Sequence, residues 1–340
     1  RRPGGAAPAS PVGFGMASGC CTDVAGPLFV PRIVIVAPML TELERWVERL
    51  PLGSALAFPA GAHPERPPLR WNSTLGVLGM VTGMGPTRSS TSVGALGYDE
   101  RFDLRCAHWL LAGIAGVDPS IGSIGSAFWA RSLVSLDGGS YVDSVGHVPS
   151  GRPPVGRYLP PLPTRAEAER SGNLYTLSPE LVASAYAASQ GVQLRDTPHL
   201  KQARERYAEA AARAPPRVEL GDATTSGSFW AGRQSNAWAA NASRFYTAGA
   251  PPAATTDEED TAVAEALGSL HRAGRANSSR LLVLRAASDY TYPPLGTPID
   301  EWFFRSNLHF AQAEALEALI EAGRPAVELI TRGGVCASQR

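Results

Sequence analysis

Ser288-Asp289 closes an apolar run, Leu281-Leu282-Val283-Leu284-Arg285-Ala286-Ala287. A run of this kind suits a strand buried on both faces. In α/β folds the carboxyl ends of such strands are where ligands meet side chains. An unpaired carboxylate is costly to bury there unless it is used. Upstream, Thr255–Leu267 carries the acidic cluster Asp257-Glu258-Glu259-Asp260 where a helical pattern opens. A carboxylate after a strand and another at a helix start can converge on one small molecule. Binding and proton transfer are the chemistry open to such a pair.

Other residues invite the same reading, each with a plainer one beside it. Glu42 opens a helix and either faces the strand-end crevice or is a first-turn carboxylate favoured by the helix dipole. Glu258 and Glu259 either reach a ligand or belong to a solvated face. Gly83-Met84-Gly85 and Gly113-Ile114-Ala115-Gly116 follow strands, and glycines at such turns let backbone N–H groups cradle an anion or simply make the turn tight. Phe229 and Trp230, after a Ser-Gly turn, either stack on a planar ring or fill core. A Ser-His-Asp hydrolase is disfavoured by the lack of a Gly-x-Ser-x-Gly elbow, which Gly122-Ser123-Ile124-Gly125 does not supply.

These residues need strands and helices to hold them. Arg32–Ala37, Leu75–Thr82, Trp109–Gly116, one or two segments within Ile124–Leu136, Arg217–Leu220 and Leu281–Asp289 read as strands. Glu42–Leu50 places Leu43, Trp46, Val47 and Leu50 on one helical face. Thr87–Tyr98, much of 178–213 and 308–323 also read as helical, with Ser178-Pro179-Glu180 as a start signal. Strands alternating with helices predict an α/β protein with a central twisted, mixed but mostly parallel sheet flanked by helices. Residues 1–30, rich in Gly, Pro, Ala and Ser, are expected to form an extended arm. One domain is expected over 31–335, with a Pro-rich and helical insertion at about 147–215.

Composition narrows the partners. The chain has 340 residues, 44% of them hydrophobic, enough for one large domain. Lys+Arg and Asp+Glu both number 31, so no electrostatic footprint for nucleic acid or an anionic membrane is expected. Lys201 is the only lysine. No uninterrupted apolar window of about 18 residues predicts a membrane span. Without Cys-x-x-Cys pairs or His clusters, no metal site is expected. A start at Arg1 rather than Met points to processing or truncation. Together with Cys20-Cys21 and the sequons at Asn72, Asn241 and Asn277, it supports a secreted or endomembrane-lumen protein. Asn72 and Asn277 are expected at exposed sites, and Asn241 in a segment that can be helical. Either Cys20 or Cys21 can pair with Cys336, the alternative being free thiols.

The ordered blocks Leu111-Ala112-Gly113-Ile114-Ala115-Gly116-Val117-Asp118-Pro119, Thr225-Ser226-Gly227-Ser228-Phe229-Trp230 and Arg285-Ala286-Ala287-Ser288-Asp289 resemble the nucleoside phosphorylase/hydrolase superfamily. They are most similar to its fungal-type purine nucleoside permease branch, with coverage over about 32–330. The resemblance implies cleavage of the N-glycosidic bond of a purine nucleoside, without a cofactor, by a homo-oligomer. It makes Asp289, steadied by Ser288, the acid near the purine N7. It makes Phe229 a stacking partner, and it places Met39 and Gly113 among the substrate-binding residues. Glu259 matches the position that accepts from the ribose hydroxyls; because the family's Met-Glu is Glu258-Glu259 here, Glu258 is the alternative by one register. Met39–Glu42 resembles the hydrolytic branch, in which a glutamate activates water. The phosphorylases' anion-binding residues are replaced by Leu111 and Ile114, leaving Arg88, Gly83 and Gly85 as candidates for an anion. Hydrolysis is therefore favoured over use of phosphate. A nucleoside-binding protein without turnover is the competing reading.

Overall fold

The computed structural model describes residues 27–138, 140–143, 155–158, 164–250, 253–304 and 310–333. The expected pairing of Cys20 or Cys21 with Cys336 and nearly all of the N-terminal arm lie outside them. The strands are β1 (Ile33–Ala37), β2 (Ser54–Leu56), β3 (Leu69–Asn72), β4 (Val77–Val81), β5 (His108–Val117), β6 (Ala127–Trp129) and β7 (Ser132–Ser135). They continue with β8 (Ser140–Asp143), β9 (Val155–Tyr158), β10 (Leu174–Thr176), β11 (Val218–Leu220), β12 (Ala223–Thr225), β13 (Thr255–Asp257) and β14 (Leu281–Tyr290). The helices are α1 (Leu40–Arg49), α2 (Pro86–Gly97), α3 (Arg165–Arg170), α4 (Pro179–Ser189) and α5 (Pro198–Glu205). After them come α6 (Ala210–Arg213), α7 (Arg233–Tyr246), α8 (Asp260–Arg272), α9 (Ile299–Trp302) and α10 (Gln312–Arg332).

At the centre β4, β1, β5 and β14 lie side by side and parallel, with Val36 opposite both Met80 and Leu111, and Leu111 opposite Val283. Every residue of β1 and β14 is buried, which is why these segments are continuously apolar rather than alternating. Antiparallel pairs (β3 with β4, β13 with β5, β10 with β7) make the sheet mixed. Helices α1, α4 and α10 pack together and against this sheet, and α2 packs on α8. The result is the expected α/β sheet flanked by helices.

Three local readings change. Gly113–Gly116 was expected at a turn but lies inside β5, because β14 pairs with that strand as far as Val117. The acidic cluster begins with the short strand β13 and α8 starts only at Asp260, since Thr255 and Thr256 favour extended backbone. The last helix runs Gln312–Arg332 rather than 308–323, continuing through Pro325 because Ala326 and Val327 still bury against the core. Of the middle segment, the starts of α4 and α5 are capped as their sequences suggest: Ser178 accepts from the Leu181 amide and Thr197 from the Leu200 amide. The register between β14 and β5 shifts between Ala287 and Asp289. Such a bulge re-aims side chains, and here it falls on Ser288-Asp289.

Candidate active site

At the carboxyl ends of β1, β5 and β14 one cleft is lined by Met39, Glu42, Phe229, Glu258, Glu259, Ser288 and Asp289. Seven of the residues singled out from sequence therefore meet. Each arrives by a local rule. Glu42 is in the first turn of α1, Glu259 is the N-cap of α8, and Asp289 follows the β14 bulge.

Glu42 is 1% exposed. Its Oε2 accepts the Met39 amide at 2.8 Å and its Oε1 accepts the Ile114 amide at 2.8 Å. Burial raises its pKa to about 7, against the pull of Arg285 and the two amides. A carboxylate oxygen has two lone-pair sites, so each oxygen retains one acceptor site beyond the amide it binds. Asp289 accepts the Ser288 hydroxyl at 2.7 Å. Burial lifts its pKa to about 6, with the Ser288 bond working in the opposite direction. Across from it, a Cβ on Gly116 would stand 3.4 Å from Asp289 Oδ2, so glycine there keeps the approach to the carboxyl open.

Glu259 is held at both oxygens. Oε1 accepts the Gly85 amide at 2.9 Å and Oε2 accepts Arg285 Nη2 at 3.0 Å. Burial raises its pKa, opposed chiefly by Arg285. Glu258 is half-buried, and burial followed by the neighbouring Glu259 raises its pKa. Phe229 keeps 46% of its surface exposed and packs edge-on to Phe303 at 5.5 Å, leaving ring surface for a ligand.

The structure corrects three assignments. Gly113 does not line the cleft; a Cβ there would meet Arg285 Nη1 at 2.5 Å and Glu42 Oε1 at 2.9 Å. Its role is to let those two side chains approach across β5. Gly83 and Gly85 do adopt the positive φ values, 87° and 86°, that glycine suits. Their amides are nevertheless taken, Gly83 by the Pro38 carbonyl and Gly85 by Glu259, so the turn holds a carboxylate of the protein itself. Arg88 is exposed on α2 and does not line the cleft.

Sequence reasoning passed over Arg285, which sits in the motif that named Asp289. It is 1% exposed, bonds Asp260 Oδ1 through Nε (3.0 Å) and Nη2 (2.6 Å), and donates Nη1 to the Ile114 carbonyl at 3.0 Å. A charged residue inside an apolar strand was the available signal, because burial demands partners. Asp257 Oδ1 accepts the amides of Glu259 and Asp260, fixing the start of α8. Burial and the neighbouring Asp260 hold Asp257 protonated well above the usual carboxylate range. Asp257 Oδ2 and Asp260 Oδ2 are both buried and accept from no donor among the described residues.

Solved structures share this architecture. The chain resembles a 5′-methylthioadenosine/S-adenosylhomocysteine nucleosidase from Neisseria meningitidis with a TM-score of 0.51 at 15% identity, over 90% of this chain and 100% of that one. Its likeness to the futalosine hydrolase of Helicobacter pylori has a TM-score of 0.51 at 14% identity, covering 89% and 98% of the two chains. At these identities the likeness establishes a nucleoside phosphorylase-like fold. In sequence, the chain is 27% identical to a probable purine nucleoside permease of Schizosaccharomyces pombe over 77% of its own length and 78% of the relative's. It is 26% identical to the purine nucleoside permease of Candida albicans over 90% of this chain and 76% of that one. No helix among the described residues is long and apolar enough to cross a membrane. The purine nucleoside permease model matches residues 30–334, and the chain belongs to that family.

Proposed function

We propose that the protein hydrolyses the N-glycosidic bond of purine nucleosides. The observation that carries this reading is a single cleft holding two buried carboxyls with pKa values of about 7 and about 6, Glu42 and Asp289. Paired titratable groups tuned toward neutrality are the usual means of supplying a base and an acid together. In this reaction the N9–C1′ bond breaks through an oxocarbenium-like ribosyl cation. Asp289 gives its proton to the purine N7, and the base leaves neutral. Glu42 takes a proton from the attacking water, whose oxygen bonds to C1′. Glu259, held by Gly85 and Arg285, accepts from the ribose hydroxyls, with Glu258 beside it at the cleft wall. Phe229 stacks on the base, and Met39 and Met84 supply apolar walls.

Water is favoured over phosphate because of the charges around the cleft. A phosphate dianion would face Glu42, Glu258 and Glu259. Among the described residues Arg285 is the only Arg or Lys lining the cleft, and its donors are engaged by Glu259, Asp260 and the Ile114 carbonyl. Incubation of the full chain with adenosine, inosine or guanosine, with and without phosphate, tests this. Phosphate-independent release of base and ribose is expected, and Glu42→Gln abolishes it. Ribose 1-phosphate as product transfers the reading to phosphorolysis. Calorimetric binding without base release replaces it by a nucleoside-binding role, the reading closest to the relatives' permease names. We further propose a homo-oligomer, checked by light scattering, and a secreted or lumenal location, checked through the sequons.

A further inference from the structure

Asp289 also lines a second, larger cleft, of about 250 Å³ against about 90 Å³ for the first. The proposed reaction uses none of its other residues. Its floor is apolar and aromatic: Ile124, Tyr207, Tyr290 and Trp302 are buried, and Phe310 is half-buried. The rings of Tyr207 and Tyr290 lie 4.1 Å apart. Their hydroxyls are committed to the carbonyls of Tyr292 (2.8 Å) and Ala212 (2.9 Å), which leaves ring surface as what they can offer a ligand. His199, stacked on Phe310 at 4.1 Å and bonded to Glu314 at 3.2 Å, stands with Gln202 of α5 and Arg206, the residue that follows that helix, at the exposed rim. An apolar floor with a few polar groups at the edge is the usual make-up of a small-molecule site.

Purine chemistry connects the two clefts. N7 and the 6-substituent share one edge of the base, so a carboxyl that protonates N7 stands beside whatever the 6-position carries. Asp289 borders both clefts, so on a base whose N7 faces this carboxyl a 6-substituent would lie toward the aromatic one. We propose that this cleft is a subsite for an apolar or aromatic substituent on the purine 6-position, so that the substrate class includes N6-alkyl and N6-arylmethyl adenosines. The proposal rests on the nucleosidase reading and adds no covalent step to it. A closed cavity of about 150 Å³ accommodates a benzene ring, so the cleft has room for a benzyl group.

The test compares base release from adenosine and from N6-benzyladenosine by the full chain, its Ala203→Trp variant and its Gln202→Trp variant. Both positions are on α5, line only the second cleft, and are half-buried and exposed respectively. The unsubstituted protein is expected to cleave N6-benzyladenosine with kcat/KM at least equal to that for adenosine. Filling the cleft should lower kcat/KM for N6-benzyladenosine at least about tenfold, while the value for adenosine stays within about threefold and so reports an intact fold. A kcat/KM for N6-benzyladenosine about a hundredfold below that for adenosine overturns the subsite and leaves the nucleosidase reading standing. So does a pair of variants that leave the preference for one substrate over the other unchanged. Cleavage of neither nucleoside removes both.

Discussion

Asp289→Asn separates catalysis from stability in opposite directions. Asparagine keeps the shape and keeps an oxygen to accept the Ser288 hydroxyl, which lies 2.7 Å from the native carboxyl. What it loses is the proton. General acid catalysis contributes about 10²- to 10⁴-fold, equivalent to roughly 3–5 kcal/mol of barrier, so turnover should fall by that factor with much less change in substrate affinity. Stability should rise. The carboxyl's pKa moves from 3.8 to about 6 on folding because burial disfavours the charged form. The native state therefore binds this proton more tightly than the unfolded chain, and the contribution of Asp289 to stability is fully present below about pH 4 and is lost as pH rises through about 6. About two units at 1.36 kcal/mol each make the ionised carboxyl worth about 3 kcal/mol of destabilisation at pH 8. Asparagine never ionises and escapes that penalty. Urea unfolding at pH 8 and pH 4, alongside continuous measurement of base release, reads both effects. The variant should be more stable at pH 8 and level with wild type at pH 4. Near-wild-type turnover would take Asp289 out of the chemistry, and equal stability at both pH values would refute the buried-carboxyl argument.

Four further outcomes follow from the same geometry. If Asp289 acts protonated and Glu42 ionised, kcat/KM should peak between about pH 6 and 7 and fall on both sides; a profile flat from pH 5 to 8 contradicts these roles. Gly113→Ala puts a Cβ 2.5 Å from Arg285 Nη1 and 2.9 Å from Glu42 Oε1. Displacing the base by a fraction of an ångström to one ångström should lower kcat by up to about 10²-fold, and unchanged kcat would show that Glu42 tolerates the shift. Arg285→Met leaves Glu259 and Asp260 buried without their countercharge, at a cost of about 3–5 kcal/mol, seen as a lower urea midpoint; an unchanged midpoint would mean the carboxyls are neutral in the native protein. For the proposed secretory location, Asn277 is the sequon expected to carry a glycan, since Asn72 spends its side-chain nitrogen on the Leu50 and Pro51 carbonyls and Asn241 lies within α7. Natively expressed protein whose gel mobility is unchanged by glycosidase or by Asn277→Gln would set that location aside.

Much of this protein was legible wherever one segment carries its own signal. The continuous apolar runs of β1, β4, β5 and β14 announce strands buried on both faces, and the spacing of Leu43, Trp46, Val47 and Leu50 announces the inward face of α1. Glu42 and Asp289 were readable because a carboxylate at a helix start or a strand end is a position, and position is local. The three-residue strands β12 and β13 were not, because Ala223-Thr224-Thr225 and Thr255-Thr256-Asp257 become strands only by pairing with each other and with β7 and β5. The use of Gly113 was hidden for the same reason: what excludes a side chain there is Arg285 from β14 and Glu42 from α1, which are distant in sequence. Gly85 illustrates the converse, a turn whose form suits an anion and whose amide is occupied by Glu259. The second cleft, built from α5, the end of β14 and Phe310, exists in no single segment. Sequence determines which groups can do chemistry and which elements carry them. Only the tertiary fold decides which buried charges meet, because their pairing energy depends on distances and desolvation that chain order does not specify.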